Sequence, residues 1–394
     1  MGCCRSRSHE RTTSSDLIQD RILPTQLFGQ EKNSTADACD SDSSFERSEH
    51  LGEGLSPEQL WLEQGRRQER QEKRRRRAKR EVKVLPGSLA DCDNMVECYS
   101  SASLDENYTL CERIGKGSYS SVSRCVHVHS GTEHALKSIL RRRAPSAEQL
   151  QEELEITKLL GAQDGNTDLQ HPNIVQLFDV YEDSSSVHLV LELCRGGQLM
   201  SLLARLPDSE SLPDEVAARL ARQMASSLQH LHSRSIAHRD LKPENFMAAD
   251  HDEGGNNNSN NNSSKLAVAT LKMIDFGLSR RFVPGQPMKT LACTSHYVAP
   301  EVLEGQYTES CDLWSLGVSI YVLLCRSLPF AAEGEAEVLR KVRAGSYSQD
   351  TAAWAAASGQ AKSLVSSLLE RDVALRPTAD EVLLHPWLSI ACNN

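Results

Sequence analysis

Short runs of mixed apolar and polar residues, Tyr108–Ile114, Ser121–His127 and His134–Leu140, are separated by Gly-bearing turns. That punctuation predicts three strands. Ala147–Leu160 carries apolar residues at helical spacing and predicts an amphipathic helix. Val175–Tyr181 and Val187–Leu193 predict two further strands. Beyond Gln198 the pattern changes, and Val216–His232, Trp314–Leu324, Lys362–Leu369 and Ala379–Leu384 predict helices. Strands first and helices afterwards predict an α+β fold of two lobes, a small β-rich one over 108–193 and a larger helical one over 198–388.

The pattern is absent before residue 108. Residues 7 to about 55 are rich in Ser, Asp, Glu, Thr and Gln with only isolated apolar residues, too few to offset the entropy of ordering, which predicts a disordered tail over 1–55. Ser56-Pro57-Glu58-Gln59 resembles a helix start, with Ser as cap and Pro at the first helical position. It predicts an exposed helix over 56–85 that stops before Pro86, followed by a linker over 86–107. Inside the folded part, residues 250–264 are mainly Asn, Ser, Gly and Asp and predict a flexible polar insertion.

Charge adds one feature. The chain has a net charge of −10, yet 66–83 holds 11 Lys or Arg against three Glu. A basic block in an acidic chain fits an anionic membrane, a nucleic acid or an acidic protein surface; a solvated helix is the plain alternative. The 12 cysteines are scattered without a CxxC pair, which favours reduced thiols over a disulfide framework or a zinc site. The most apolar stretch, Val318–Cys325, is far shorter than the roughly 20 residues of a membrane span. No apolar signal-peptide core follows Met1, so secretion is not expected.

Four groups of residues carry chemistry. Gly115-Lys116-Gly117-Ser118-Tyr119-Ser120-Ser121-Val122 lies between two predicted strands, where glycines let backbone N–H groups approach phosphate oxygens. Lys137 follows in a strand and Glu153 on the next helix; their ion pair would hold the ammonium against phosphates, with Glu152 and Glu155 as rival partners. His238-Arg239-Asp240-Leu241-Lys242-Pro243-Glu244-Asn245 supplies a carboxylate to orient a hydroxyl (Asp240) and a cation to neutralise a phosphoryl group (Lys242). Asn245 and Asp275, the latter in Asp275-Phe276-Gly277, offer hard oxygen ligands for Mg²⁺.

Taken in order, these motifs resemble those of eukaryotic serine/threonine protein kinases over about Tyr108 to Leu388. Ala299-Pro300-Glu301, Asp312-Leu313-Trp314-Ser315-Leu316-Gly317-Val318 and Arg376 fit the same pattern. His171-Pro172-Asn173-Ile174-Val175 and His385-Pro386-Trp387-Leu388 are similar to the calmodulin-dependent and calcium-dependent kinase group. The resemblance implies a two-lobe kinase fold that binds ATP with Mg²⁺ and phosphorylates Ser or Thr of protein substrates. It implies a nucleotide site of Ile114, Gly115, Lys116, Gly117, Ser118, Tyr119, Ser120, Ser121, Val122, Ala135, Lys137, Glu192, Cys194 and Gln198. It also implies that an otherwise unpaired Arg239 receives a phosphate on the activation segment. Counting back from Glu301 places that phosphate on Thr290, whereas Thr294 should face Asp240 and Ser279 lies too close to Asp275.

Departures qualify the picture. Gln198 stands where the group often has Glu, so the usual preference for basic substrates is not implied. Cys293-Thr294-Ser295 replaces Gly-Thr-Pro. No D-x-D-x-D-G…E calcium loop occurs, and six residues after Leu388 leave no room for an autoinhibitory helix, so direct calcium control is not expected. Met1-Gly2-Cys3-Cys4-Arg5-Ser6 fits a myristoylation signal on Gly2, with Cys3 and Cys4 as palmitoylation candidates; two spectator thiols are the alternative. These readings together predict a monomer on the cytoplasmic face of membranes, the plasma membrane first, and otherwise in the cytoplasm. Nucleic acid is not an expected partner, although a nuclear-localisation role for the basic block is one rival reading and a scaffold without turnover is another.

Overall fold

The computed structural model describes residues 103–117, 119–161, 170–207, 211–249, 262–290 and 294–390. The tail, the helix over 56–85 and most of the linker lie outside the described residues, as do Gly2, Cys3, Cys4, Ser118 and positions 250–261.

The linker ends sooner than its polarity predicts. Leu104–Asn107 forms a one-turn helix, α1, because Leu104 packs on a buried cluster of Tyr108, Cys125, Leu136, Tyr181 and Val190. Asn107 Nδ2 also donates to Tyr181 Oη at 3.1 Å. Tyr108–Lys116 (β1), Ser120–His127 (β2), Glu133–Leu140 (β3), Leu177–Glu182 (β4) and Ser186–Glu192 (β5) form one antiparallel sheet ordered β1-β2-β3-β5-β4. Its register sets Lys137 between Val122 on β2 and Leu189 on β5. Ala147–Gly161 (α2) buries Leu150, Glu153, Leu154, Ile156 and Leu160. β4 begins two residues later than the apolar pattern predicts, since the Val175 N–H donates to Met273 O at 3.0 Å and ties the sheet region to the helical lobe.

Short strands, invisible to periodicity, frame the helical lobe's upper surface. Gly197–Gln198 (β6), Phe246–Ala248 (β8) and Leu271–Met273 (β9) form a three-stranded sheet, and Ile236–Ala237 (β7) pairs with Arg280–Arg281 (β10). The segment 238–245 runs from β7 to β8, and Asp275 follows β9 by two residues. Helices Leu199–Ala204 (α3) and Asp214–His232 (α4) precede them. Asn262–Val268 (α5) takes the last three residues of the predicted flexible insertion into a helix. Fully buried Leu266, whose carbonyl accepts from Arg219 Nη2 at 2.7 Å, anchors that helix to α4.

Pro300–Leu303 (α6) leads into Ser310–Cys325 (α7), which is buried at every position from Cys311 to Cys325. A helix apolar on all sides belongs at a lobe's centre. It starts four residues before the pattern predicts because the charge of Asp312 is satisfied internally. The remaining helices are Glu335–Ala344 (α8), Ala352–Ala356 (α9), Gly359–Leu368 (α10), Ala379–Leu383 (α11) and Pro386–Ser389 (α12). A reciprocal cap between Thr378 and Glu381 starts α11.

Candidate active site

Asp312 organises the segment 238–245 from below. Its fully buried carboxylate accepts from the backbone N–H groups of His238 and Arg239, each at 2.7 Å, and contacts His232 Nε2 at 2.9 Å. Burial pushes this carboxyl up, but these donors and His238 outweigh it and hold it below the usual carboxylate range. Arg239 takes a left-handed backbone conformation, φ 65°, which a non-glycine residue adopts only under such constraint.

Asp240 is thereby presented at the cleft. Lys242 Nζ lies 2.8 Å from Asp240 Oδ2 and 3.0 Å from Oδ1. Thr294 donates to Asp240 Oδ1 at 2.7 Å and accepts from Lys242 at 2.8 Å. Asn245 Nδ2 donates to the Asp240 carbonyl at 2.7 Å and to Oδ2 at 3.1 Å. A carboxylate, an ammonium and a hydroxyl thus form a closed triangle.

On the opposite wall Lys137 Nζ bridges Glu153 Oε1 and Asp275 Oδ1, both at 2.8 Å. Burial works against the ammonium, but the two carboxylates dominate and raise the Lys137 pKa. The same pair acts in reverse on Asp275, which burial raises and Lys137 draws below the usual range. Of the three glutamates open to Lys137 on sequence grounds, Glu153 is the one in contact; Glu152 Oε1 instead accepts from the Arg281 N–H at 3.0 Å.

The donor chemistry suits a magnesium ion. Asn245 commits its amide nitrogen to Asp240, so its oxygen remains as a ligand. Asp275 commits Oδ1 to Lys137 and to the Gly277 N–H at 3.2 Å, so Oδ2 remains. Two hard oxygens from the protein, with the rest from phosphates and water, are what this ion takes.

A cleft of about 400 Å³ is lined by Gly117, Tyr119, Ser120, Lys137, Glu153, Asp240, Lys242, Asn245, Asp275 and Thr294 among others. Gly117 closes the β1–β2 turn, donating to Ser120 O at 2.9 Å; a Cβ there would meet Ser120 Oγ at 2.9 Å. Gly115 stands opposite Val122 and Lys116 opposite Ser121. Half-exposed Ile114, together with Val122, Ala135, Glu192 and Cys194, is not part of this cleft's lining. Ala135 pairs with Leu191, buried Cys194 follows β5, and the Glu192 carboxylate is paired with Lys272 at 2.9 Å. Gln198 is turned towards the segment 238–245, donating to Glu244 O at 2.8 Å.

The family model described as "Protein kinase domain" matches residues 108–388. This chain belongs to the protein kinase domain family. It is 38% identical over 291 residues to calcium-dependent protein kinase 10 of Oryza sativa subsp. japonica, covering 73% of this chain and 44% of the relative. It is 35% identical over 290 residues to calcium-dependent protein kinase 12 of Arabidopsis thaliana, covering 74% and 55%. Against calcium-dependent protein kinase 5 of Plasmodium falciparum (isolate 3D7) the identity is 34% over 275 residues, covering 70% and 44%. The chain therefore spans about half the length of the curated relatives it matches.

In this kinase domain the activation segment corrects one expectation. Arg239 is not unpaired: its Nε donates to Leu278 O at 2.7 Å and its Nη1 to Tyr307 Oη at 3.0 Å, and Thr290 O lies 3.5 Å from Nη1. A buried guanidinium has to find such acceptors. The exposed Thr290 hydroxyl is met instead by Arg280 Nη1 at 2.9 Å. Sequence reasoning missed Arg280, although a basic residue five places after Asp275 was the available signal. It missed Tyr307 as well, whose hydroxyl donates to Thr290 O at 2.5 Å. The segment closes on the buried pair Glu301–Arg376, joined at 2.6 and 3.1 Å.

Proposed function

We propose that this chain is an ATP-dependent, Mg²⁺-requiring protein kinase that phosphorylates serine or threonine hydroxyls of protein substrates. The observation that carries the reading is the joint assembly of both walls: the Asp240–Lys242–Thr294 triangle faces the Lys137–Glu153–Asp275 bridge across one cleft. A scaffold without turnover has no use for that arrangement.

In this reading the backbone of the Gly115–Val122 turn and Lys137 hold the nucleotide's phosphates, while the chain around Glu192–Cys194 holds the adenine beneath Val122 and Ala135. Asp240 accepts the hydrogen bond of the attacking hydroxyl and aims its oxygen at the phosphorus. Lys242, already fixed between Asp240 and Thr294, offsets the charge that builds on the phosphoryl oxygens. Asn245 and Asp275 would hold a magnesium ion, which when bound would supply divalent charge to offset that of the nucleotide. The work is positioning and electrostatic stabilisation. Asp240→Asn should keep nucleotide binding and lower the phosphoryl-transfer rate by about 10²–10⁴-fold. Near-normal turnover by that variant would remove the assignment.

The N-terminus supports a second, separate part of the reading. Acylation at Gly2 with Cys3 or Cys4, together with the basic block at 66–83, would tether the kinase to anionic cytoplasmic membrane faces. One acyl chain binds only marginally, so the second signal matters. Gly2→Ala should move the protein from the membrane to the soluble fraction; a wild-type chain that is soluble and carries no fatty acid refutes the tether.

A further inference from the structure

A second cavity, of about 610 Å³, opens beside Glu192 and Leu193 and takes no part in the chemistry above. His134, in its wall, stands three positions before Lys137 on β3, so the two side chains lie on opposite faces of the sheet. Hydrogen bonds fix which nitrogen of His134 carries the proton. The Ser130 N–H donates to His127 Nδ1 at 3.1 Å, so that nitrogen is an acceptor. Ser130 Oγ therefore donates to it at 2.9 Å, Thr132 Oγ1 to Ser130 Oγ at 2.7 Å, and His134 Nε2 to Thr132 Oγ1 at 3.0 Å. Burial and His127 push the His134 pKa below the ordinary histidine value, so the ring stays neutral and Nδ1 keeps its lone pair. Although His134 is only 7% exposed, Nδ1 has no donor among the described residues, and a buried acceptor normally has one.

Asp179 supplies a second acceptor. Its one donor among the described residues is the neutral Tyr108 hydroxyl, at 2.6 Å from Oδ2. The other charges of the wall cancel: Glu133 is paired with Arg124 and Arg195, and Glu192 with Lys272. Three rings complete the lining, with His134 packed edge-on at 4.4 Å from Phe178 and 5.7 Å from Tyr108 between centroids.

We propose that this cavity binds the guanidinium group of an arginine. One uncompensated carboxylate repels anions and attracts a cation, and two acceptors beside aromatic rings select among cations. A guanidinium is planar, weakly hydrated and carries five N–H donors, so it can serve Asp179 and His134 together while lying against Tyr108 or Phe178. An ammonium is compact and strongly hydrated and gains less from such walls. The site goes beyond the kinase reading and does not depend on it.

The test titrates the full chain, carrying isotope-labelled histidines, with N-acetyl-arginine amide. It follows the His134 ring signals by NMR, identified by their loss in His134→Gln. Half-saturation is expected at about 1–10 mM, the range of a single side chain. The lysine amide should bind about tenfold more weakly, and the citrulline amide, which keeps the shape without the charge, at least as weakly as that. Asp179→Asn should weaken arginine binding about tenfold, and Phe178→Leu, at the half-exposed mouth, about threefold. Phe178→Leu decides the matter if Asp179→Asn lowers the melting temperature. Tighter binding of free L-arginine than of the blocked amide assigns the site to the metabolite, and the reverse assigns it to arginine within a polypeptide. No shift of the His134 signals up to about 100 mM overturns the proposal. So does equal binding of the arginine and citrulline amides, or unchanged affinity in Phe178→Leu and a folded Asp179→Asn.

Discussion

Removing the Arg376 guanidinium should cost this domain more stability than any surface change. Arg376 has no exposed side-chain surface, and Glu301, its partner at 2.6 and 3.1 Å, is nearly as buried. Three further bonds, two to Glu370 O at 2.8 and 3.0 Å and one to Ser310 O at 2.8 Å, use the remaining donors. Arg376→Met fills much of the volume but leaves Glu301 charged, buried and without its partner, which costs about 3–5 kcal/mol. At roughly 2–4 °C per kcal/mol for a domain of this size, the melting temperature should fall by about 6–20 °C. Changing Glu301→Gln as well removes the stranded charge, so the double variant should recover about 1–3 kcal/mol of the loss. Trp314 offers the readout, since Arg376 lies 5.3 Å from its ring centroid. Urea unfolding followed by tryptophan fluorescence gives all four corners of the cycle. A loss below about 1 kcal/mol in Arg376→Met, or strictly additive effects, refutes the reasoning.

Two other outcomes follow from the same network. Asp312 titrates below the usual carboxylate value of about 3.9, so the stability it contributes is complete above about pH 4 and is lost as pH falls through its lowered pKa. Asp312→Asn should therefore cost about 2–4 kcal/mol at pH 7 and flatten the acid limb of the stability–pH curve; an unaltered acid limb contradicts this. Phosphate on Thr290 should draw on Arg280 and, by displacing its present acceptors, Arg239. Thr290→Ala should then lower activity at nearly constant ATP affinity, and Arg280→Ala or Arg239→Ala should erase the difference between phosphorylated and unphosphorylated enzyme. Full activity in Thr290→Ala, or a fully active preparation without phosphate over 279–295 by mass spectrometry, would end that account.

Local pattern alone determined the two-lobe order of this chain. The five strands from β1 to β5 and helices α2, α4, α7, α10 and α11 stand close to where turn-bounded apolar runs and helical spacing put them, because each carries apolar residues that a core must cover, α7 on every side and the other helices along a stripe. The motif residues were legible for a related reason: Lys137, Asp240, Asn245 and Asp275 each have a chemistry that few neighbours could supply. Tertiary structure decided what those residues touch. Glu152, Glu153 and Glu155 share one helix and the same charge, and only the packing of α2 against β4 and β10 selects Glu153 for Lys137 and sends Glu152 to Arg281. Strands β6 to β10 have two or three residues each, too few for any period, and exist because distant partners pair with them. Helix α1 and the start of α5 form inside polar sequence because Leu104 and Leu266 find buried apolar surface. The partners of Arg239 were illegible for the same reason. Its acceptors come from residues 278, 290 and 307, and only the folded chain brings them to one guanidinium.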